Sequence, residues 1–204
     1  MAVTLNASTT TGLVQSADTS GIIELQSNGT TKATVSSSGL AIGQYNPSAS
    51  LVTSGTAVAS TSGTSIDFTS IPSWVKRITL MFTGVTTNGT SRYQMQLGAG
   101  SIQTTSYLGQ FCYSGASNDG FSLTSGFGIY NDTAGQTING LITFCLLDSV
   151  NYTWSASGSL GASNSFIRTT AGSVTLSGTL DRIRLTTING TDSYNAGTIN
   201  ILYE

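Results

Sequence analysis

The chain has 204 residues, of which only 8% are charged, and its formal net charge is -2. A typical domain carries roughly 25% charged residues. In this chain Gly, Ser, Thr and Asn largely take their place. This balance excludes a basic surface for nucleic acid or for an anionic membrane. No apolar stretch approaches the roughly 20 residues that span a bilayer, and the N-terminus lacks a signal-peptide pattern, so we expect no membrane insertion and synthesis in a cytoplasm.

Residues 1–43 contain the first predicted element, a small β-hairpin. Its apolar residues all occupy odd positions: Ile23, Leu25, Ala33 and Val35. They share one face only if the loop has an odd length, which favours the three-residue loop Ser27-Asn28-Gly29 with Gly29 in the left-handed conformation. The same register places Glu24 opposite Lys32.

This hairpin is too small to be stable alone. Four medium-sized side chains cannot offset the conformational entropy of roughly forty ordered residues, at about 1 to 2 kcal/mol each. We therefore expect an attachment and oligomerisation module whose apolar face is covered by another chain, with sister subunits around a symmetry axis as the simplest arrangement. Its high content of Ser, Thr and Gly leaves a second interpretation open, namely a disordered tail.

The rest of the chain indicates an extended connector followed by a β-domain. Residues 44–63 are poor in charged and large apolar side chains and contain Pro47, which is typical of a connector. Residues 64–204 alternate apolar and polar side chains with period two, between clusters of Gly, Asn and Ser. We predict an all-β protein: the hairpin module, the connector and a head domain that is a jelly-roll-like antiparallel β-sandwich.

Two runs near the start of the head domain predict inward-facing strands. Their inward residues are Ile78, Leu80 and Phe82 in the first run, then Tyr93, Met95 and Leu97 in the second. Asn88-Gly89 lies between the runs, and the change of parity across it predicts a hairpin with a two-residue loop. A later run, 141–147, is apolar on both faces, which predicts a central strand or a strand at a subunit contact.

The sequence offers little for catalysis. It contains no histidine, which removes Ser-His-Asp and Cys-His systems and His-based metal sites. Paired carboxylates could in principle hydrolyse a glycoside, but nothing marks two of them as neighbours. Cys112 and Cys145 lie in strand-like runs, and we expect buried free thiols rather than a disulfide. We predict a protein that is not an enzyme and has no cofactor or metal site.

Loops that combine aromatic residues with Asn and Asp are candidates for binding. Such side chains suit the faces and hydroxyl groups of carbohydrates. The segments YSGASNDGF (113–121), YNDTAG (130–135) and NGTDSYN (189–195) have this composition, and we expect residues 189–197 to project as a loop. The possible receptor-contact residues are Tyr130, Asn131, Asp132, Asp192, Tyr194 and Asn195. The same residue types are also typical of hairpin turns, which is the alternative interpretation.

Three stretches resemble structural proteins of tailed bacteriophages. Residues 13–40, LVQSADTSGIIELQSNGTTKATVSSSGL, resemble the short N-terminal module found ahead of tail-fibre and other virion proteins. Residues 71–91, IPSWVKRITLMFTGVTTNGTS, and 180–204, LDRIRLTTINGTDSYNAGTINILYE, resemble a distal β-domain of phage and prophage structural proteins.

This resemblance implies a homotrimeric virion protein. Its N-terminal part would join other virion proteins, the chain would be made in the cytoplasm of a host bacterium, and its sandwich head would face outward to bind a host-surface glycan or protein. The implied role is a tail fibre or short surface fibre for host attachment. A capsid decoration (cement) protein that stabilises the head shell is the alternative.

Overall fold

The regular secondary structure in the described part of this chain consists of β-strands. The computed structural model describes residues 22–27, 29–42, 52–114 and 119–204. These described residues contain no helix, and their strands form antiparallel sheets. The chain divides into two compact units, Met1–Leu51 and Val52–Glu204. The prediction of an all-β protein is therefore confirmed.

The first unit contains a three-stranded sheet. Its strands, in spatial order, are β1 (Ile23–Ser27), β2 (Thr30–Ser36) and β3 (Gly39–Ile42). The predicted hairpin corresponds to β1 and β2, whereas β3 was not predicted. It returns along β2 after a two-residue turn, because Ser36 pairs with Gly39.

The register of β1 and β2 corrects the predicted loop. Ser27 pairs with Thr30, so positions 28 and 29 alone connect the strands, and position 28 lies outside the described residues. Gly29 has a φ of 71°, which confirms its left-handed conformation.

A β-bulge, rather than an odd loop, keeps the apolar residues on one face. The register shifts between Leu25 and Gln26, and Lys32 is the extra residue on β2. Glu24 therefore pairs with Thr34, and its predicted position opposite Lys32 is wrong.

The second unit is a β-sandwich built from fourteen described strands. The first seven, in chain order, are β4 (Thr53–Ser54), β5 (Val58–Ala59), β6 (Ser65–Thr69), β7 (Arg77–Thr87), β8 (Tyr93–Ala99), β9 (Ser101–Ile102) and β10 (Leu108–Ser114). The others are β11 (Gly120–Leu123), β12 (Phe127–Ile129), β13 (Ile138–Asp148), β14 (Thr153–Ala162), β15 (Ile167–Thr175), β16 (Arg182–Thr187) and β17 (Tyr194–Tyr203).

These strands form a large sheet and a small sheet. The large sheet has the order β11-β10-β15-β14-β13-β7-β17-β4, and β5 also pairs with β17. The small sheet has the order β12-β8-β16-β6, and β9 also pairs with β8. Because β4 and β5 belong to the large sheet, the sandwich unit begins at Val52, within the segment predicted as a connector.

The core lies between the two sheets, and the inward faces were predicted correctly. All six predicted inward residues are at most 3% exposed: Ile78, Leu80, Phe82, Tyr93, Met95 and Leu97. The predicted hairpin, however, is wrong. β7 pairs with β13 and β17 in the large sheet, and β8 pairs with β12 and β16 in the small sheet. Asn88-Gly89 thus lies where the chain crosses from one sheet to the other.

The apolar run 141–147 lies in β13, which is central because it pairs with β14 and β7. Ile142 and Phe144 face the core and are fully buried, while Leu141 on the outer face is 49% exposed. One of the two predicted positions for this run, a central strand, is therefore confirmed.

The outer faces of the two sheets differ in charge. The small sheet carries two ion pairs, Arg184 with Asp67 at 2.7 Å and Arg182 with Asp181 at 2.8 Å. Outward positions of β10, β14 and β15 carry small, hydroxyl, amide or apolar side chains, and no charged side chain among the described residues. The part of the large sheet formed by β10, β14 and β15 therefore presents an outer face without charge, whereas Arg77 at the start of β7 pairs with Glu204.

Candidate functional site

Three loops of the sandwich meet at an open depression of about 380 Å³. Residues 88–92 connect β7 to β8, residues 130–132 follow β12, and residues 188–193 connect β16 to β17. The depression is lined by Thr90, Ser91, Arg92, Tyr130, Asn131, Asp132 and Ile188. Each of these three connections leads from one sheet to the other, and all three contribute to this depression.

Asn131 fixes the floor of this depression. It is only 2% exposed, and its Nδ2 donates to the carbonyl oxygens of Gly89 at 3.4 Å and Ser91 at 3.3 Å. Its Oδ1 is also buried and has no hydrogen-bond partner in the part of the chain that the structure describes. One amide therefore holds the 88–92 loop and retains an acceptor that no described residue uses.

Asp192 joins the 188–193 loop to the 88–92 loop. Its two carboxylate oxygens accept hydrogen bonds from the Ser91 amide at 2.9 Å and from Asn189 Nδ2 at 2.6 Å. A side chain at Gly89 would collide with this carboxylate, since a Cβ there would lie 2.1 Å from it. The first part of the segment predicted to project is therefore held against the 88–92 loop, its second part belongs to β17, and a side chain at Gly89 would have to displace the Asp192 carboxylate.

Arg92 stands at the wall of the depression on a ladder of aromatic rings. Its guanidinium carbon lies 3.8 Å from the ring centroid of Phe121 and 5.2 Å from that of Tyr130. Such stacking fixes the guanidinium plane without using its N–H donors. Within the described residues these donors have no hydrogen-bond or ion-pair partner.

The ladder itself runs through five rings, of which Tyr130 lines the depression. Adjacent ring centroids lie 5.4, 5.4, 4.3 and 6.0 Å apart in the order Phe111, Phe121, Tyr130, Tyr113 and Phe166. These separations are typical of aromatic pairs that contribute beyond their buried area. The stacked rings support both the guanidinium group of Arg92 and the 130–132 loop.

A second arginine, Arg168, supports the same loop from the interior. It is fully buried, and its Nε donates to the carbonyl oxygen of Tyr130 at 3.1 Å, while Nη2 donates to Gln136 Oε1 at 2.6 Å. Burial lowers the pKa of this guanidinium, and the Asp132 carboxylate opposes that effect. Its position fixes the backbone from which Asn131 and Asp132 project.

Asp132 provides the exposed carboxylate of the depression. Its Oδ2 accepts a hydrogen bond from the Tyr130 hydroxyl at 3.2 Å, and its Oδ1 accepts one from Thr133 Oγ1 at 3.0 Å. Burial, and then the charge of Asp132, raise the pKa of the Tyr130 phenol. The phenol therefore remains a neutral donor at physiological pH, and the carboxylate keeps further acceptor capacity.

The structure brings together only part of the predicted contact set. Tyr130, Asn131 and Asp132 line the depression. Asp192 does not line it, but its carboxylate accepts a hydrogen bond from the amide of Ser91, which does. The other two predicted residues are placed elsewhere.

Tyr194 lies inside the sandwich, whereas Asn195 is exposed and bonds to the neighbouring strand β7. Tyr194 is 1% exposed and stacks on Tyr93 at 6.2 Å, and burial raises the pKa of its phenol well above the usual value. Asn195 accepts a hydrogen bond from Thr86 Oγ1. The side chain of Tyr194 is therefore not available to a receptor, because β17 begins at this residue and turns it inward.

Sequence reasoning missed Arg92 and Arg168. Arg92 stacks on rings that are distant in the chain, and Arg168 bonds to Tyr130 and Gln136, which are also distant, so no local pattern identifies either arginine. The isolated Arg92 after the Asn88-Gly89 turn was the available signal, since a lone charge in a chain with 8% charged residues is conspicuous.

Other candidate sites in the sandwich are weaker. A larger depression of about 520 Å³ on the outer side of β10, β11 and β15 is lined by Cys112, Thr169 and neighbouring residues and contains no charged side chain. Cys112 and Cys145 are both free and half-buried. Among the described residues no three potential ligands of the His, Cys, Asp and Glu types cluster to hold a metal ion. None of these residues forms a helix suited to crossing a membrane.

The N-terminal sheet carries a second candidate surface. Cross-strand pairing aligns Ile23, Val35 and Leu40 in one row, and Leu25 with Ala33 in the next. Directly paired residues project from the same face of a sheet. Leu25 is 50% exposed, Val35 40% and Leu40 49%. The predicted assembly residues thus share one apolar face, which β3 extends.

The opposite face of this sheet is polar. Glu24 Oε2 accepts hydrogen bonds from Gln26 Nε2 at 3.0 Å and from Thr31 Oγ1 at 3.2 Å. The sheet is therefore amphipathic, as expected for a layer that packs against a partner on one side and faces water on the other.

Comparison with known proteins gives no relative on which to base a function. No protein-family model matches the chain, and no curated protein or solved structure matches it either.

Proposed function

We propose that this protein is a structural protein of a tailed-bacteriophage particle. In this proposal it is a homotrimeric tail fibre or short surface fibre. The N-terminal sheet assembles the subunits and attaches them to other virion proteins. The sandwich faces outward and contacts the host surface, and the depression described above provides its binding site.

The observation that carries this proposal is the exposed apolar face of the N-terminal sheet. A sheet with one apolar face needs a second layer, and a single three-stranded layer cannot supply its own. Leu25, Val35 and Leu40 occupy adjacent strands and are each 40% exposed or more. Identical copies around a symmetry axis offer each other the same apolar face, which makes self-association the simplest covering.

The virion assignment draws on the resemblance of residues 13–40 and of the two head-domain stretches to phage structural proteins. The composition agrees with it, because a surface with few charges suits extensive contact between subunits. The rigid loops at one end of the sandwich favour recognition, since binding residues commonly lie on loops held by a rigid scaffold.

A capsid decoration protein is the second candidate. The outer face of the large sheet supports it, since described outward positions of β10, β14 and β15 carry no charged side chain and Leu108 is 73% exposed. Such a broad face suits flat contact with a shell.

Purified particles from the source of the sequence test both candidates. We expect an antibody against the sandwich to label the particles, and quantitative mass spectrometry to find a handful of copies in each particle. Hundreds of copies, with label over the head, would establish decoration instead. Absence of the chain from purified particles would overturn the virion assignment itself.

A further inference from the structure

We propose that the depression between the 88–92, 130–132 and 188–193 loops binds one unit of a neutral saccharide. This inference rests on the proposed role at a host surface, and it specifies the chemical class of the receptor. It also assigns the main contact to Arg92, which no sequence pattern identified.

The depression has the size and rigidity of a binding site. Its volume of about 380 Å³ falls within the roughly 300 to 1,000 Å³ of small-molecule sites. The three loops are bonded to one another by the Asn131 amide, by the Asp192 carboxylate and by the Ile188 amide, which donates to the Arg92 carbonyl at 2.9 Å. A ligand therefore meets a surface that is already ordered, which lowers the entropic cost of binding.

Arg92 supplies donors that are fixed in space and that no described residue uses. Stacking on Phe121 at 3.8 Å holds the guanidinium plane, while its N–H groups have no partner among the described residues. A guanidinium presents its donors as a planar fork. Two adjacent hydroxyl groups of a sugar ring match the spacing of that fork.

Acceptors and an apolar contact complete the complement for a sugar. Asp132 has acceptor capacity beyond its bonds to Tyr130 and Thr133, and it lines the same depression. Thr90 and Ser91 add hydroxyl groups. Ile188, which is 40% exposed, offers an apolar surface to the C–H face of a ring. Donors, acceptors and an apolar patch in one depression suit a polyhydroxylated ligand.

The charge around the depression favours a neutral ligand over an acidic one. Asp132 lies in the depression and Asp192 directly behind it, whereas Arg92 is the cation of the lining. A ligand carboxylate on Arg92 would share the depression with Asp132, and like charges in proximity oppose binding, while the buried Arg168 behind the 130–132 loop offsets only part of the Asp132 charge. A cationic ligand would in turn meet Arg92. A neutral saccharide uses the groups of both signs as hydrogen-bond partners.

Saturation-transfer NMR and calorimetry on the full chain test this site. The probes are the methyl glycosides of glucose, galactose, mannose and rhamnose, with methyl glucuronide and N-acetylneuraminic acid as acidic counterparts. We expect at least one neutral glycoside to bind, with an affinity that is insensitive to salt.

Matched variants locate the binding. Loss of a hydrogen bond to a charged group should weaken affinity by about tenfold or more, so we expect that effect from both Arg92→Gln and Asp132→Asn. Arg184→Gln, which removes a half-exposed arginine from the outer face of the small sheet, should leave the affinity unchanged. Fluorescence of the buried Trp154 verifies that each variant is folded. Asp132→Asn keeps the test decisive if Arg92→Gln does not fold, because Asp132 is exposed.

Several results would overturn the site. These are binding of no neutral glycoside, undiminished binding after either Arg92→Gln or Asp132→Asn, and tighter binding of an acidic sugar, particularly if Asp132→Asn strengthens it further. If these results came from a chain that is present on purified particles, the saccharide site would fail and the virion role would stand. If the chain bound a saccharide but was absent from purified particles, the saccharide site would stand and the virion role would fail.

Discussion

The N-terminal sheet and the sandwich are both antiparallel β-structures, yet they treat their apolar residues differently. In the sandwich, the inward residues of β7 and β13 meet a second sheet, and Leu80, Ile142 and Phe144 are fully buried. In the N-terminal sheet, Leu25 and Leu40 have the same alternation, yet about half of each side chain is exposed.

The difference lies in the number of layers rather than in the residue pattern. A sandwich supplies its own second layer, whereas a three-stranded sheet requires one from elsewhere. We infer that the first unit is stabilised by association with another chain, whereas the second folds independently. The predictions below test this contrast, beginning with the largest effect.

The largest expected difference between the two units is the loss of stability when an apolar side chain is truncated. We expect Phe144→Ala to lower the free energy of unfolding of the sandwich by about 3 to 5 kcal/mol, because it leaves a cavity between the sheets. Leu25→Ala should change that free energy by less than about 0.5 kcal/mol, since it alters a different unit. Denaturant titration followed by the fluorescence of buried Trp154 measures both. Similar losses for the two variants would contradict the contrast.

The pH dependence should be a smaller effect and should belong to the sandwich. Arg182 lowers the pKa of Asp181, so the stability from this carboxylate is present above its unfolded value of about 3.9 and is lost as the pH falls through its folded value. Burial raises the pKa values of Tyr93, Tyr107 and Tyr194, so their contribution is present below about pH 10 and is lost as the pH rises further.

Between these limits little should titrate, because the chain contains no histidine. We expect the unfolding midpoint to be flat from about pH 5 to pH 8, with a shallow loss below pH 4 and a steeper one above pH 10. Association through the apolar N-terminal face should be equally flat across the middle range. Thermal unfolding and sedimentation across this pH series provide the measurement, and a transition near pH 6.5 would contradict it.

Which residues face inward could be predicted from the sequence, whereas strand partners could not. Alternation assigned Ile78 and Tyr93 correctly to the core, because period two determines the face of a strand directly. Parity across Asn88-Gly89 fitted a hairpin equally well, but two strands in opposite sheets of a sandwich also turn their apolar residues toward each other. Only the long-range pairing of β7 with β17 and of β8 with β16 distinguishes these cases.

The same limit applies to the N-terminal sheet. An odd loop and a two-residue loop followed by a bulge place Leu25 and Ala33 on the same face, and the sequence does not distinguish them. The bulge displaces Lys32 from the pairing, and this moves Glu24 to a different partner. β3 was missed because its four residues are too few to show alternation clearly.

For the candidate site, the local composition of the sequence identified the 130–132 loop correctly. The positions of the other residues depend on long-range packing, which the sequence does not show. Tyr130, Asn131 and Asp132 were found because aromatic and amide residues stand together in the chain. Tyr194 has the same local composition, but it begins a strand and points into the core. Arg92 contributes through Phe121, which lies in a different strand, so its role depends on the fold and not on adjacent residues.

The oligomeric state of paired-face variants tests the central claim most directly. Leu25→Ser with Val35→Ser changes the apolar face of β1 and β2, and Gln26→Ser with Thr34→Ser changes the polar face of the same strands. Sedimentation velocity of the full chain should give a trimer for the unaltered protein and for the polar-face variant, and mainly monomer for the apolar-face variant. A monomeric unaltered protein at high concentration, or an apolar-face variant that associates as strongly, would contradict the account.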